Sequence, residues 1–395
     1  MSKEYGNLGM TTGEQWNNPC EDFLGMKEDP ELGDENGVSS ARLRQLEMII
    51  KTGPKTGRWE PWDQFVHDWK ERGDPDSDKK LTAKDGIEYY EHLRDAGLKR
   101  YTIFENHMSV VQHFLNECMK RGIVDANPAA YVMDNVENPG TKKEYPEITV
   151  KELGNFLMWV PDPQRRAGYV MMAKLALRVG ETLNIDLPYL HIDHPIYYDY
   201  IETKGIELHE GVKDYPDSVL IPSEPTADEK FRGELRQVGN KTKKGKRLPI
   251  DREAKRVILD WLVMRPDTGH PHPLFYSEKK HTRPRSQYWL RSLKRYLCDY
   301  GLAVEYVEDN EKNMDLHFFR HFFSTNMQDE EGTYKGANWS WAKVQIIRGD
   351  VGSGLNDNKR NSASSSGLQG TYTHDWGDLI REPYLEDVYN FGIYA

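Results

Sequence analysis

The hexapeptide Asn138-Pro139-Gly140-Thr141-Lys142-Lys143 combines turn formers with charge and contains no apolar side chain. Such a segment satisfies its backbone with water and does not belong inside a core. It therefore divides the chain, with a linker expected over 138–144, into parts that must each bury their own apolar residues. From 39 to 137 those residues recur at helical spacing. Leu43, Leu46, Ile49 and Ile50 follow a capping Ser39 or Ser40, and Trp62, Phe65, Val66 and Trp69 mark a second face. Thr82 and Asp85 signal a helix start ahead of Ile87, Tyr90 and Leu93, and Gly97 ends that helix. Phe104, Met108, Val111, Phe114, Leu115 and Cys118 define a longer helix over 101–121, closed by Gly122 and Asn127-Pro128. The expectation is a bundle of four or five short helices.

Beyond the linker the pattern is mixed. Helices are expected at 149–160, 165–178, 181–187, 252–264, 285–300 and 317–328. Strands and turns are expected between Ser218 and Ile250, around a basic tip over 239–246. Ser362 to Gly370 is Ser/Gly-rich and reads as a flexible loop. Residues 1–38 are acidic and Gly-rich with little apolar periodicity, which predicts a mobile tail.

Charge matters because the net value of -11 argues against a polyanionic partner. The first 40 residues hold nine acids against two bases and so carry most of that excess. The remainder is close to balanced, and local basic stretches decide whether a phosphate backbone can bind. Cys20, Cys118 and Cys298 lie far apart without metal-binding spacing, which fits a reducing cytoplasm. No run of about twenty apolar residues is present, so no membrane span is expected.

Four stretches carry candidate chemistry. Arg178 follows the apolar residues Met171, Met172, Leu175 and Leu177, where a guanidinium needs a partner such as Glu181. Lys241, Lys243, Lys244, Lys246 and Arg247 crowd the basic tip, as either a solvated loop or a contact to DNA. His317 and Arg320 share one helical face, with His321 beside them, and place two kinds of donor near one anionic spot. Gly370-Thr371-Tyr372-Thr373-His374 is weak alone in a chain with 22 tyrosines. Tyr384, Tyr389 and Tyr394 are rivals that read more simply as packing aromatics. Around 285–300 a basic stretch that includes Arg283 and Arg285 reads equally as a solvated or a DNA-facing surface.

In this order, Arg, Lys, His-x-x-Arg and Tyr resemble the active site of tyrosine recombinases, the family of phage integrases and Xer proteins. His317-Phe318-Phe319-Arg320-His321 with Phe323-Ser324-Thr325 is similar to that family's second motif. Leu177-Arg178-x-x-Glu181-x-Leu183 resembles its first, Lys241 stands eight residues before Pro249 at the lysine position, and Tyr372-Thr373-His374 looks like the nucleophile motif. The sequence departs from the pattern at Asp350, where histidine or tryptophan is usual, and in the long stretch from Gly352 to Gly370. An ionised aspartate donates no hydrogen bond, so that role falls to His374 or Arg348 or is absent. Arg348-Gly349-Asp350, Tyr372-Thr373-His374 and Arg381-Glu382-Pro383-Tyr384 resemble integrases of haloarchaea and their mobile elements.

The resemblance implies a mainly α fold with a small antiparallel β-sheet: a helical core-binding, DNA-binding domain over 39–137 and a catalytic domain over 145–395. It implies that Arg178 and Arg320 clamp a phosphate, Tyr372 attacks, Lys241 protonates the leaving oxygen and His317 handles the tyrosine proton. Glu181, His321, Asp350, His374 and Arg348 would support them. Lys243, Lys244, Lys246, Arg247, Arg283 and Arg285 would contact DNA. The implied partner is double-stranded DNA at attachment sites, bound by a protein that is a monomer when free and a homotetramer on DNA. No metal and no cofactor is implied, and the location is cytoplasmic, nucleoid-associated when bound. A type IB topoisomerase-like or resolving enzyme, and a catalytically decayed DNA-binding protein, are the competing readings. Leu385, Val388, Tyr389, Phe391 and Ile393 are apolar enough to dock on a neighbouring subunit.

Overall fold

The computed structural model describes residues 19–28, 40–66, 80–137, 145–223, 230–231, 234–236, 239–240, 245–267, 272–277, 282–302, 314–328, 338–349 and 381–393. The linker at 138–144 lies outside them. Two compact units form, Met1–Lys142 and Lys143–Ala395.

The first unit is helical. Ser40–Glu47 runs on into a π turn at Met48–Thr52, followed by Trp62–Phe65 and Ala83–Asp95. Arg100–Thr102 leads through a π segment, Ile103–Met108, into Ser109–Lys120, and Pro128–Asn135 closes the unit. The start signals act as capping chemistry requires. The Thr82 N–H and hydroxyl both donate to the Asp85 carboxylate, at 2.8 and 2.9 Å. Asn127 Oδ1 accepts from the Ala130 N–H at 3.1 Å, and Pro128 fills the first helical position, where no donor is needed. Ile49, Trp62, Tyr89, Leu93, Phe104 and Phe114 make the core. Ile87 instead faces outward.

One helix corrects the expectation of a mobile tail over 1–38. Pro19–Glu28 is helical, and Cys20, Phe23 and Met26, three residues apart, are buried in the bundle. Phe23 meets Phe114 edge-on at 5.3 Å, while Glu21 and Glu28 face solvent. Glu21 and Glu28 thus lie on the face opposite a narrow apolar stripe.

In the second unit Pro163–Leu175 is buried along nearly its whole circumference. It is the pillar on which Val150–Trp159, Arg252–Met264 and Phe318–Gln328 pack. Thr149 and Glu152 form a capping box, and Asp162 and Asp251 cap the next helices. The strands are β1 (Leu190–His191), β2 (Ser218–Ile221), β3 (Lys230–Phe231), β4 (Glu234–Leu235) and β5 (Lys246–Pro249). β1, β2 and β5 form one antiparallel sheet in that order, with Val219 opposite both Leu190 and Leu248. Among the described residues β3 pairs only with β4. The mainly helical class with a small antiparallel sheet is therefore the fold found. Among the described residues no helix is long and apolar enough to cross a membrane.

The C-terminal segment packs on its own unit. Tyr384, Tyr389, Phe391 and Ile393 join the core of that unit. Glu253 accepts the backbone N–H groups of Phe391 and Ile393 at 2.9 and 2.8 Å. Lys174 Nζ is clamped by Asp251, Glu253 and the Tyr389 carbonyl, each at 2.6 Å. Apolar side chains and backbone donors are thus satisfied together, leaving Leu385 exposed. Gly154 makes this approach possible, since a Cβ there would stand 2.4 Å from the Phe391 carbonyl oxygen. Gly154→Ala is expected to destabilise the protein by about 1–3 kcal/mol, the cost of overpacking, as a lower urea midpoint at unchanged slope.

Candidate active site

The pillar helix ends at Leu175 because Ala176 turns left-handed, with φ +50° and ψ +33°. This costs an alanine roughly 1–2 kcal/mol. The turn aims the Ala176 carbonyl at the Arg320 guanidinium, which donates to it. Arg178 follows and opens the short helix Val179–Leu183. Its N–H donates to Glu181 Oε2 at 2.8 Å, and its Nη1 donates to Oε1 at 3.2 Å. The Arg178 side chain keeps about a quarter of its surface exposed, whereas Glu181 has none.

Glu181 is the centre of the cluster. Lys246 Nζ reaches its Oε2 at 3.1 Å, and Arg320 Nη1 stands 4.0 Å away. Arg320 is fully buried. It also donates to the Arg348 carbonyl at 3.1 Å, joining the Phe318–Gln328 helix to the end of the Trp341–Arg348 helix. The Arg348 side chain turns the other way, donating to Ser324 Oγ at 2.8 Å and lying over the exposed Trp341 ring at 5.2 Å.

Asp315 caps the Phe318–Gln328 helix by accepting from the N–H groups of His317 and Phe318, at 2.8 and 3.0 Å. This sets His317 at the mouth of the cluster. Its ring keeps an exposed edge, but the protein packed around it pushes its pKa below the ordinary imidazole value. Asp315 opposes that shift, and Arg320, Arg348 and Arg178 reinforce it. The ring is therefore neutral near pH 7 and able to accept a proton. His321 lies 4.9 Å from His317 and against Tyr145 at 4.3 Å, centroid to centroid, as a packing partner of the first histidine.

The other sequence candidates divide into three groups. Lys241, Lys243, Lys244, Asp350, Tyr372, His374 and Tyr394 lie outside the described residues. Asn240, immediately before Lys241, is buried and tied to the cluster, accepting from Asn184 Nδ2 at 3.0 Å and donating to the Pro222 carbonyl at 2.9 Å. Two expected DNA contacts, Lys246 and Arg283, are corrected. Lys246 points inward to Glu181. Arg283 is a structural anchor that donates to the Leu183 carbonyl at 2.7 Å and pairs with Asp186 and Glu234. Arg247 donates to the Gly211 carbonyl and covers the Tyr215 ring. Each satisfies a buried or half-buried acceptor that the linear sequence hides. Arg285 remains exposed.

Sequence reasoning missed the inward role of Lys246 and the Asn184–Asn240 and Asp186–Arg283–Arg236 contacts behind the first arginine. For Lys246 a signal existed. It stands two residues before the buried Leu248 on a strand, and side chains two apart share a face.

The sequence matches no family model and no curated protein. Solved structures do match. The Tn1549 transposon integrase in complex with a circular intermediate DNA (CI6a) is similar with a TM-score of 0.52 and 14% identity, over 84% of this chain and 90% of that one. A second complex of that integrase, with CI5 circular intermediate DNA, gives 0.51 and 14% over 85% and 92%. A variant of it bound to transposon right end DNA gives 0.52 and 14% over 84% and 90%.

Proposed function

Because the chain has the fold of the tyrosine recombinases, we propose that it cleaves and rejoins DNA through a 3′-phosphotyrosine intermediate and so moves a mobile element at its attachment sites. The observation that carries this reading is the gathering of Arg178, Lys246 and Arg320 around one buried carboxylate, with His317 within electrostatic reach of both arginines. Stretches distant in sequence have no packing reason to bring so much positive charge together, whereas a phosphodiester needs that arrangement.

In this reading the Arg178 and Arg320 forks bind the two non-bridging oxygens, which suits planar guanidinium groups that stay charged. Tyr372 Oη bonds to phosphorus while the bond to the 5′ oxygen breaks. Neutral His317 takes the tyrosine proton, and Lys241 supplies one to the leaving oxygen. The phosphotyrosine keeps the bond energy for rejoining, so no nucleotide is consumed. The unit ending at Lys142 would grip one face of the duplex as a core-binding domain, and four protomers would assemble on paired sites. Lys243, Lys244, Arg247 and Arg285 would contact the backbone.

A nicked suicide duplex carrying the ends of the encoding element tests this directly. The wild-type protein is expected to give a denaturant-resistant, protease-sensitive protein–DNA species in EDTA without nucleotide. Tight binding with no such species would leave a DNA-binding protein on this scaffold and defeat the enzymatic reading.

A further inference from the structure

Lys246 is more deeply built into the cluster than a hairpin lysine needs to be. Its ammonium group is enclosed, and its three protons meet three acceptors: Glu181 Oε2 at 3.1 Å, the Arg348 carbonyl at 2.9 Å and the Ile347 carbonyl at 3.4 Å. The two carbonyls belong to the last turn of the Trp341–Arg348 helix, where intrahelical donors run out and a cation is favoured. Gly349 adopts φ +69° beside the lysine stem, and a Cβ there would stand 2.9 Å from Lys246 Cδ. One side chain thus fastens the sheet to both the first-arginine helix and the helix that leads toward Tyr372.

A buried carboxylate beside two arginines competes with any phosphate for their charge. Glu181 Oε2 is nearer to Lys246, at 3.1 Å, than to Arg320, at 4.0 Å, while Oε1 accepts from Arg178 Nη1 at 3.2 Å. Resting on the recombinase reading above, we propose that Lys246 is a positioning residue that takes up the charge on Glu181 Oε2 and so leaves Arg320 available to the phosphate, while Oε1 holds the Arg178 fork in place.

The groups facing Lys246 are Glu181 on Val179–Leu183, Arg178 just before that helix, Arg320 on Phe318–Gln328 and the two carbonyls of Trp341–Arg348. Its partner across the sheet, Ile221, adds no charge. Burial, with Arg320 and Arg178 adding to it and Glu181 opposing, pushes the lysine down to about 8. It is charged below that pH and neutral above it, when the Glu181 charge falls on the arginines alone. For stability the sign is opposite. Between about 8 and the ordinary 10.5 the unfolded chain binds more protons, so this group's contribution rises with pH. Loss of activity in that window is therefore not acid-type unfolding of this group.

The test compares wild type, Lys246→Met and Lys246→Arg from about pH 6.5 to about pH 9.5, across the window in which this lysine titrates. It uses the rate of covalent complex formation on the suicide duplex, and the rise in Tm caused by inorganic phosphate. The wild-type rate is expected to fall through an apparent pKa near 8. Lys246→Met is expected to be at least about tenfold slower at neutral pH and to lack that limb, and Lys246→Arg to recover most of the loss and also lack it. Phosphate should raise the Tm of wild type and Lys246→Arg more than that of Lys246→Met. A limb near 8 that persists in Lys246→Arg, or equal phosphate shifts in all three proteins, would overturn the proposal. If Lys246→Met does not fold, wild type against Lys246→Arg decides it. If wild type forms no covalent complex at any pH, the recombinase reading fails by itself and the phosphate shifts still decide the role of Lys246.

Discussion

Tyr372→Phe is expected to lower covalent complex formation by at least about a thousandfold, the scale of losing a nucleophile, while Tyr384→Phe and Tyr389→Phe retain it. The two rivals are held by their hydroxyl groups. Tyr384 Oη donates to the Lys174 carbonyl at 2.9 Å, and Tyr389 Oη donates to the Ala173 carbonyl at 2.6 Å. Both rings are fully buried, and burial raises the Tyr384 hydroxyl well above the ordinary tyrosine value. A phenol in that setting cannot reach a phosphate without dismantling the core around it. Removing either hydroxyl leaves one buried carbonyl unpaired and should cost about 1–3 kcal/mol of stability, visible on melting but not in the chemistry. A covalent band that survives Tyr372→Phe and disappears in Tyr384→Phe would refute the assignment.

Glu181→Gln should have the largest effect on stability. The substitution keeps the shape and removes the only charge opposing Lys246 and Arg320 inside the cluster among the described residues. Leaving buried cations without their counter-ion costs about 3–5 kcal/mol. The contrast is the exposed pair of Lys51 and Glu21, whose loss should leave the urea midpoint almost unchanged. Urea unfolding of Glu181→Gln and Glu21→Gln side by side reads the difference. In Glu181→Gln the Arg178 fork also loses its support, so cleavage should fall even under conditions where the protein is folded. Equal urea midpoints for the two variants would show that the cluster is not held together by this carboxylate.

Much of the fold was legible because local chemistry and tertiary packing agree. The capping pair Thr82 and Asp85, the helix over 252–264 and the His317–Arg320 face all follow from spacing alone. What stayed hidden depended on distant partners. Ala176 takes a left-handed turn that no propensity favours, because the turn gives Arg320 a carbonyl 144 residues away. Arg283 looked like a DNA contact because its acceptors, Leu183, Asp186 and Glu234, are spread over more than fifty positions of chain before it. Phe23 sat unnoticed among acids because its neighbours in the fold, His113 and Phe114, are ninety residues on. The packing of the apolar C-terminal residues on their own unit was hidden because Lys174 and Glu253, which receive them, read in sequence only as ordinary helix charges.

The contacts that make the cluster also set when it can exist. Glu181 meets a lysine 65 positions later, and that lysine meets a carbonyl 102 positions further on. Contacts of such separation close late in folding, after helices and hairpins have formed. The full set of Glu181, Lys246, Arg320 and the Arg348 carbonyl cannot come together on any short stretch of the chain. On the recombinase reading proposed above, cutting would thus be withheld from a nascent or partly unfolded chain until these long-range contacts close.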